Sequence, residues 1–427
     1  MTGFFDGLLA VLLVAFLNAL ILSRVRRSFD RAEGNFLARV YFWTLLVRMV
    51  GAVILNVQAG DSQFADTFWG DSGTYDAGGY VLAQGWTGDS YATPLSSGAT
   101  SGYGFIYFVG VLYFFFGRNQ LLVQLLNGTI GSLAVLVIYS VARQLFNPEA
   151  ARWASLFMAF FPQMIFWSFA MYKDPSILLC IAVSMYAVLK LRVEFRLSWA
   201  LLFVAACIAL MTLRFYIFYM VSFATLGTFL FAQRRGLFGG LLAQVALICL
   251  FVAAVVFGVR SETLEQQTAF FDLERLQNAR VGQAMLSQSA YGSEFNVSTP
   301  EGALAALPVG LAYLLFAPFP WAITGLRQQL TLPETLVWYS LMPSLLRGLV
   351  YTVRNRFREA LPIIVFASVL TVAYAVFQSN VGTAYRQRTQ ISMFFFVFMG
   401  VGIEQRQRKR AQRQSHAGSL AVRPRPL

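Results

Sequence analysis

A chain of 427 residues that is 57% hydrophobic, 16% aromatic and only 12% charged, with a mean hydropathy of +0.60, is too poor in polar residues to be a water-soluble globule. Its net charge of +13 would suggest nucleic acid in a soluble protein, but beyond residue 403 seven Lys and Arg stand against Glu404 alone, a topology and lipid-headgroup signal that leaves no nucleic-acid partner. The single histidine, His416, lies in that tail and the three cysteines (Cys180, Cys207, Cys249) lie in apolar runs, which excludes imidazole bases, Ser-His-Asp triads, His-ligated zinc and thiolate clusters.

Residues 4–22 form the first apolar run. Arg24, Arg26, Arg27 and Arg31 behind it outweigh Asp30 and Glu33, which predicts an external N-terminus. The run lacks the charged leader and small-residue cleavage pattern of a signal peptide and reads as a retained helix. Run 36–57 returns outward with Arg48 in its interior, a costly position in lipid that predicts a partner or a polar cavity. An external segment, 57–118, follows. Asp61, Asp66, Asp71, Asp76 and Asp89 fall in it with no Lys or Arg before residue 101. Its Tyr103-to-Phe116 stretch is apolar for 14 residues, roughly 21 Å of helix and short of a bilayer core of roughly 30 Å, so it reads as juxtamembrane or re-entrant. Runs 119–142 and 151–171 then cross in and out, delivering Lys173-Asp174-Pro175 to the face that holds Asp71.

Runs 176–189, 198–213, 215–232 and 236–258 alternate in the same way, with Arg214 between the second and third. A second external segment, 259–333, begins with six acids against three arginines up to residue 302 and carries apolar residues at helical spacing. Within it, 303–320 contains Pro308, Pro318 and Pro320 and reads as broken or re-entrant. Runs 334–350, 361–377 and 391–403 complete about 11 crossings of an all-α polytopic membrane protein. The expectation is one transmembrane domain over 1–403, a basic cytoplasmic tail over 404–427 and an active site on the external face. The third external segment, 378–390, departs from the charge rule: it holds Arg386 and Arg388 and no acid. Arginines on that side suit an anion, and their planar forks suit phosphate oxygens.

Asp71 and Asp76 would point about 140° apart on a helix, so one can be catalytic and the other structural. Tyr75 lies between them. Asp174 can cap the helix that Pro175 begins, or, with Lys173 beside it, belong to a site. Transporters and flippases are a rival reading, yet they favour repeated halves and midplane ionisable groups, whereas here the acids concentrate in external loops and no repeat appears. A polysaccharide polymerase or ligase is the other rival, one that an acid-led first loop argues against.

The order of parts, Asp71-x-x-x-Tyr75, an aromatic run ending in Phe116-Gly117, Leu126-Asn127-Gly128, the apolar run 133–146, Phe161-Pro162 and Lys173-Asp174-Pro175, resembles the polyprenyl-phosphate-sugar-dependent GT-C glycosyltransferases. That superfamily includes protein O-mannosyltransferases and lipid A aminoarabinose transferases, and the likeness is nearest to bacterial exopolysaccharide and cell-envelope members. It covers roughly residues 36–195. Ser72 stands where many members have Glu, and Thr93-Pro94-Leu95 replaces a frequent Lys-Pro-Pro-Leu. The resemblance implies a GT-C-like helical bundle in the bacterial inner membrane, C-terminus in the cytoplasm, moving a sugar from a polyprenyl-phosphate donor to a lipid-, glycan- or protein-linked hydroxyl. It implies Asp71 and Asp174 as catalytic acids, with Asp76, Tyr75, Lys173, Arg386 and Arg388 binding substrate. A divalent metal, held by oxygen ligands, is left open.

Overall fold

The computed structural model describes residues 2–58, 71–88, 102–230, 272–285, 289–323 and 326–421. The expected acids Asp61, Asp66 and Asp89 and the run 236–258 lie outside these. The described chain is 88% helix with no named strand. Its fifteen helices are α1 (Thr2–Ser28), α2 (Arg31–Val57), α3 (Ser72–Thr87), α4 (Tyr103–Phe116), α5 (Gln120–Leu145), α6 (Pro148–Phe160), α7 (Pro162–Phe169), α8 (Asp174–Val193), α9 (Leu197–Leu230), α10 (Leu273–Met285), α11 (Pro300–Phe316), α12 (Leu326–Leu330), α13 (Leu332–Asn355), α14 (Phe357–Phe377) and α15 (Val381–Ala421).

Helix starts follow local chemistry. The Asn119 side chain accepts from the Leu122 amide (3.0 Å) to open α5; Asn147 does the same for Ala150 (2.9 Å) ahead of Pro148 at α6. Thr299 caps Gly302 (3.2 Å) ahead of Pro300 at α11. Among the described residues six helices are long and apolar enough to cross a membrane: α1, α2, α5, α8, α9 and α14. Four expected stretches take a different shape. Run 151–171 is broken into α6 and α7, because Pro162 lacks the amide that would continue the ladder. Runs 198–213 and 215–232 are fused in α9, whose only non-helical residue is Arg214 (φ −161°, ψ 86°). The segment 378–390 is helical from Val381, since its polar side chains are buried against partners and not solvated.

Helix α15 is the hub, with α5, α6, α7, α8, α11, α13 and α14 all packed on it. Gly348 of α13 and Gly402 of α15 permit a close crossing: a Cβ on either would collide with the other helix's backbone, at Phe398 and Ser344 respectively. Arg48 is wholly buried and spans the α6–α7 break, donating to the carbonyls of Ala159 (3.0 Å) and Met164 (3.4 Å). The partner expected for this arginine is therefore backbone on both sides of the break, together with Thr44 of its own helix.

Candidate active site

Four separate segments meet at one place. Asp71 precedes the first turn of α3, Lys173-Asp174 opens α8, Arg214 sits at the break of α9, and Arg386 lies in the second turn of α15. The turn that carries Lys173 is held from behind: Asn127 of α5 donates to the carbonyls of both Ala170 and Tyr172 (2.7 Å each). The Leu126-Asn127-Gly128 motif thus acts at one remove, by fixing the turn before α8.

Arg386 is the bridge. Its Nη1 donates to Asp71 Oδ2 (2.6 Å), while Nε and Nη2 donate to Asp174 Oδ2 (2.8 and 2.5 Å). The guanidinium lies over the Tyr172 ring at 4.4 Å and the Trp167 ring at 5.1 Å. On the far side of Asp174, Arg214 Nη2 stands 3.7 Å from Oδ1. The carboxylates differ sharply in exposure: the Asp71 side chain is 57% exposed and that of Asp174 is 0%. Only Asp71 is open to meet a substrate. Asp174, buried between two guanidiniums, can orient them but cannot reach an acceptor.

Lys173 is buried beside this cluster, and Gly102, at φ +115°, leaves the space that its ammonium occupies, since a Cβ there would overlap Nζ. Burial pushes the Lys173 amine down to about 7, and Arg214 adds to the effect. Tyr75 is buried against Phe105 in an edge-to-face pair 5.0 Å apart. Its phenol is pushed up by that burial and by Asp174 and Asp71, partly offset by Arg386 and Arg214, which places it within the electrostatic reach of the site.

Asp76 and Arg388 are elsewhere. Asp76 accepts from Tyr113 (2.6 Å) and pairs with Arg118, so it ties α3 to the end of α4. Burial alone would raise its carboxyl, but hydrogen bonds from Arg118 and Tyr113 hold it below the usual range. On helix α15 residues two apart point to opposite sides, so Arg388 leaves the face of Arg386. It is wholly buried and donates to the carbonyls of Leu315 (3.1 Å) and Ala317 (3.0 Å), the unpaired end of α11. The two arginines are not brought together, because the segment between them is helix and each meets its own partners. The sequence reading left Arg214 unplaced and passed over Trp167 and Tyr172. Its only signal for the first was a lone arginine between two apolar runs.

Residues 102–258 match the model of the family described as dolichyl-phosphate-mannose-protein mannosyltransferase. This is the resemblance that the motif order carries. The matched span contains Lys173, Asp174 and Arg214. No curated protein sequence matches the chain. Among solved structures it is similar to the archaeal oligosaccharyltransferase AglB from Archaeoglobus fulgidus in complex with an inhibitory peptide and a dolichol-phosphate (TM-score 0.46, 15% identity, 90% of this chain and 52% of that one). The Archaeoglobus fulgidus oligosaccharyltransferase in the apo form gives a TM-score of 0.43 at 13% identity, over 90% of this chain and 53% of that one. The chain therefore spans about half the length of these two proteins.

Among the described residues no three of His, Cys, Asp and Glu converge where they could hold a metal ion. The two carboxylates that do converge already share a guanidinium.

Proposed function

We propose that the protein transfers a sugar from a polyprenyl-phosphate donor to an acceptor hydroxyl at the external membrane surface. The observation that supports this best is Arg386, shared between one exposed and one buried carboxylate, with Lys173 and Arg214 alongside. A donor phosphate entering this cluster meets three cationic side chains against two carboxylates. Arg386 uses three of its five N–H groups on the carboxylates, which leaves two for a phosphate oxygen. In the transfer, the acceptor oxygen bonds to the anomeric carbon while the bond from that carbon to the phosphate oxygen breaks. The electron pair departs with the polyprenyl phosphate, where Arg386, Arg214 and Lys173 offset the growing charge. The hydroxyl proton passes to Asp71, the open carboxylate. Asp174 is a positioning residue that fixes both arginines, and Tyr75 walls the site beneath Asp71.

Two residues of the sequence reading take other parts. Asp76 fastens α3 and Arg388 caps α11, so both support the site without touching the donor. The test is release of polyprenyl phosphate by purified protein in lipid nanodiscs, over a panel of polyprenyl-phosphate hexoses and pentoses, with membrane glycolipid as acceptor. Donor consumption that Asp71→Asn abolishes is the expected result. A wild-type protein that consumes no donor, but moves intact lipid-linked sugar across a proteoliposome membrane, would replace this reading with a flippase.

A further inference from the structure

One buried carboxylate is not used by the mechanism above. Glu334, in the first turn of α13, is 3% exposed, and its Oε2 accepts from the Tyr385 hydroxyl at 2.7 Å. Tyr385 is the neighbour of Arg386. Its backbone carbonyl accepts in turn from the side-chain amide of Gln163, on α7. Its ring lies under the Arg388 guanidinium at 5.0 Å, with Trp338 on that guanidinium at 5.1 Å. A place in the first turn of α13 explains why an acid is tolerated there. It does not explain why a tyrosine from another helix, one residue from the bridging arginine, is held by it.

Helix ends fray, because their first amides lack intrahelical partners. Arg386 sits five residues into α15 and must reach two carboxylates on two other segments, so the rotation of this first stretch decides whether both contacts form. Asn380 caps Gly382 (2.8 Å) and the Val381 amide donates to the Ser289 carbonyl (3.1 Å), which fix the start of the helix about a turn before Arg386. Nearer to Arg386, the Glu334–Tyr385 bond, a quarter turn or so round from it, acts with the Gln163 and Arg388 contacts to fix the rotation of this stretch. Below it Gln378–Gln387 (2.6 Å) and Tyr374–Gln390 (2.7 Å) continue the polar anchoring.

We propose that Glu334, acting through Tyr385, is a positioning residue for Arg386 and so for the donor phosphate. The phosphate part rests on the function proposed above; the anchoring part does not, and the two are tested separately. Hydrogen–deuterium exchange of the full-length protein in nanodiscs needs no substrate. Tyr385→Phe and Glu334→Leu should speed exchange over 381–390 while leaving 391–403 unchanged, and Glu334→Gln, which keeps an acceptor for the hydroxyl, should stay close to the unsubstituted protein. Unchanged exchange in the first two variants would overturn the proposal whatever the protein catalyses.

In transfer assays Tyr385→Phe should lower turnover roughly tenfold, the scale of one buried hydrogen bond. In an Arg386→Ala background the same change should cost nothing further, because there is no guanidinium left to position. A purely structural tyrosine would lose the same factor in both backgrounds, and that result would overturn the positioning role. Absence of transfer in the unsubstituted protein would instead count against the glycosyltransferase reading, with the exchange result still deciding the anchor.

Discussion

Asp71→Asn separates chemistry from architecture most cleanly. The side chain is 57% exposed and its ion pair with Arg386 reaches it at the edge of the protein. An exposed pair of this kind contributes about 1 kcal/mol or less to stability, and the amide oxygen can still accept from Nη1. Loss of a general base costs roughly 10²–10⁴-fold in rate, which is about 3–5 kcal/mol on the barrier. The rate effect should therefore exceed the stability effect several-fold. Asp174→Asn should show the reverse balance, because it leaves Arg386 and Arg214 without their buried counter-charge, and breaking a buried pair costs about 3–5 kcal/mol. The assay is polyprenyl-phosphate release at matched amounts of monodisperse protein, with a thermal melt of each sample. Asp71→Asn turning over near the unsubstituted rate would remove it as the base. If Asp174→Asn melted normally and was inactive while Asp71→Asn stayed active, the two acids would have to exchange roles.

Three other outcomes follow from the same geometry. Asp76→Asn should lower the melting temperature, since a charge-assisted bond to a buried carboxylate is worth about 1.5–3 kcal/mol, yet leave transfer per folded molecule unchanged; a large loss of turnover in stable protein would return Asp76 to the donor site. With Lys173 titrating near 7 against 10.5 in the unfolded chain, the unfolded state holds the extra proton between these values, so stability should rise with pH over that window. Donor consumption, which uses the ammonium, should fall as pH rises through about 7, and Lys173→Arg should abolish that alkaline limb; a limb that persisted in the arginine variant would belong to another group. Gly102→Ala should weaken donor use and flatten the same pH profile by displacing Lys173, and a variant with an unchanged profile would show that the close approach at Gly102 is immaterial.

Hydropathy and charge were enough to read a polytopic helical protein, and the positions of α1, α2, α5, α8 and α14 followed from apolar runs bounded by arginines. The departure at 378–390 has a physical origin of its own. A membrane protein's interior can be more polar than its lipid-facing surface, so a polar stretch need not be a loop. Gln387, Arg388, Thr389 and Gln390 look like a solvated segment by composition, yet all four are buried: Gln387 accepts from Gln378, Gln390 from Tyr374 of α14, Arg388 donates to carbonyls at the end of α11, and Thr389 donates to the Arg386 carbonyl. Once that stretch is helix, the spacing of Arg386 and Arg388 acquires the opposite meaning: two residues apart in a loop they could close on one phosphate, and on a helix they cannot.

The site itself was legible only in pieces, and the pieces that could be read were those with a local anomaly. Lys173 and Asp174 stood out because a charged pair interrupted apolar sequence, and Asp71 because it followed a membrane-length helix. Arg386 drew notice for its charge on an external face, but its partners lie 212 and 315 residues away, and nothing local encodes such a meeting. What brings them together is the path of α15 through the centre of the bundle, with Glu334, Gln163 and the α11 carbonyls fixing its rotation. The same packing explains why Arg388 is invisible as a structural residue in the sequence: the carbonyls it caps belong to a helix that ends 71 residues earlier in the chain. A motif built from neighbouring residues can be found by reading along the chain, whereas a charge cluster assembled across helices requires the fold that neutralises it.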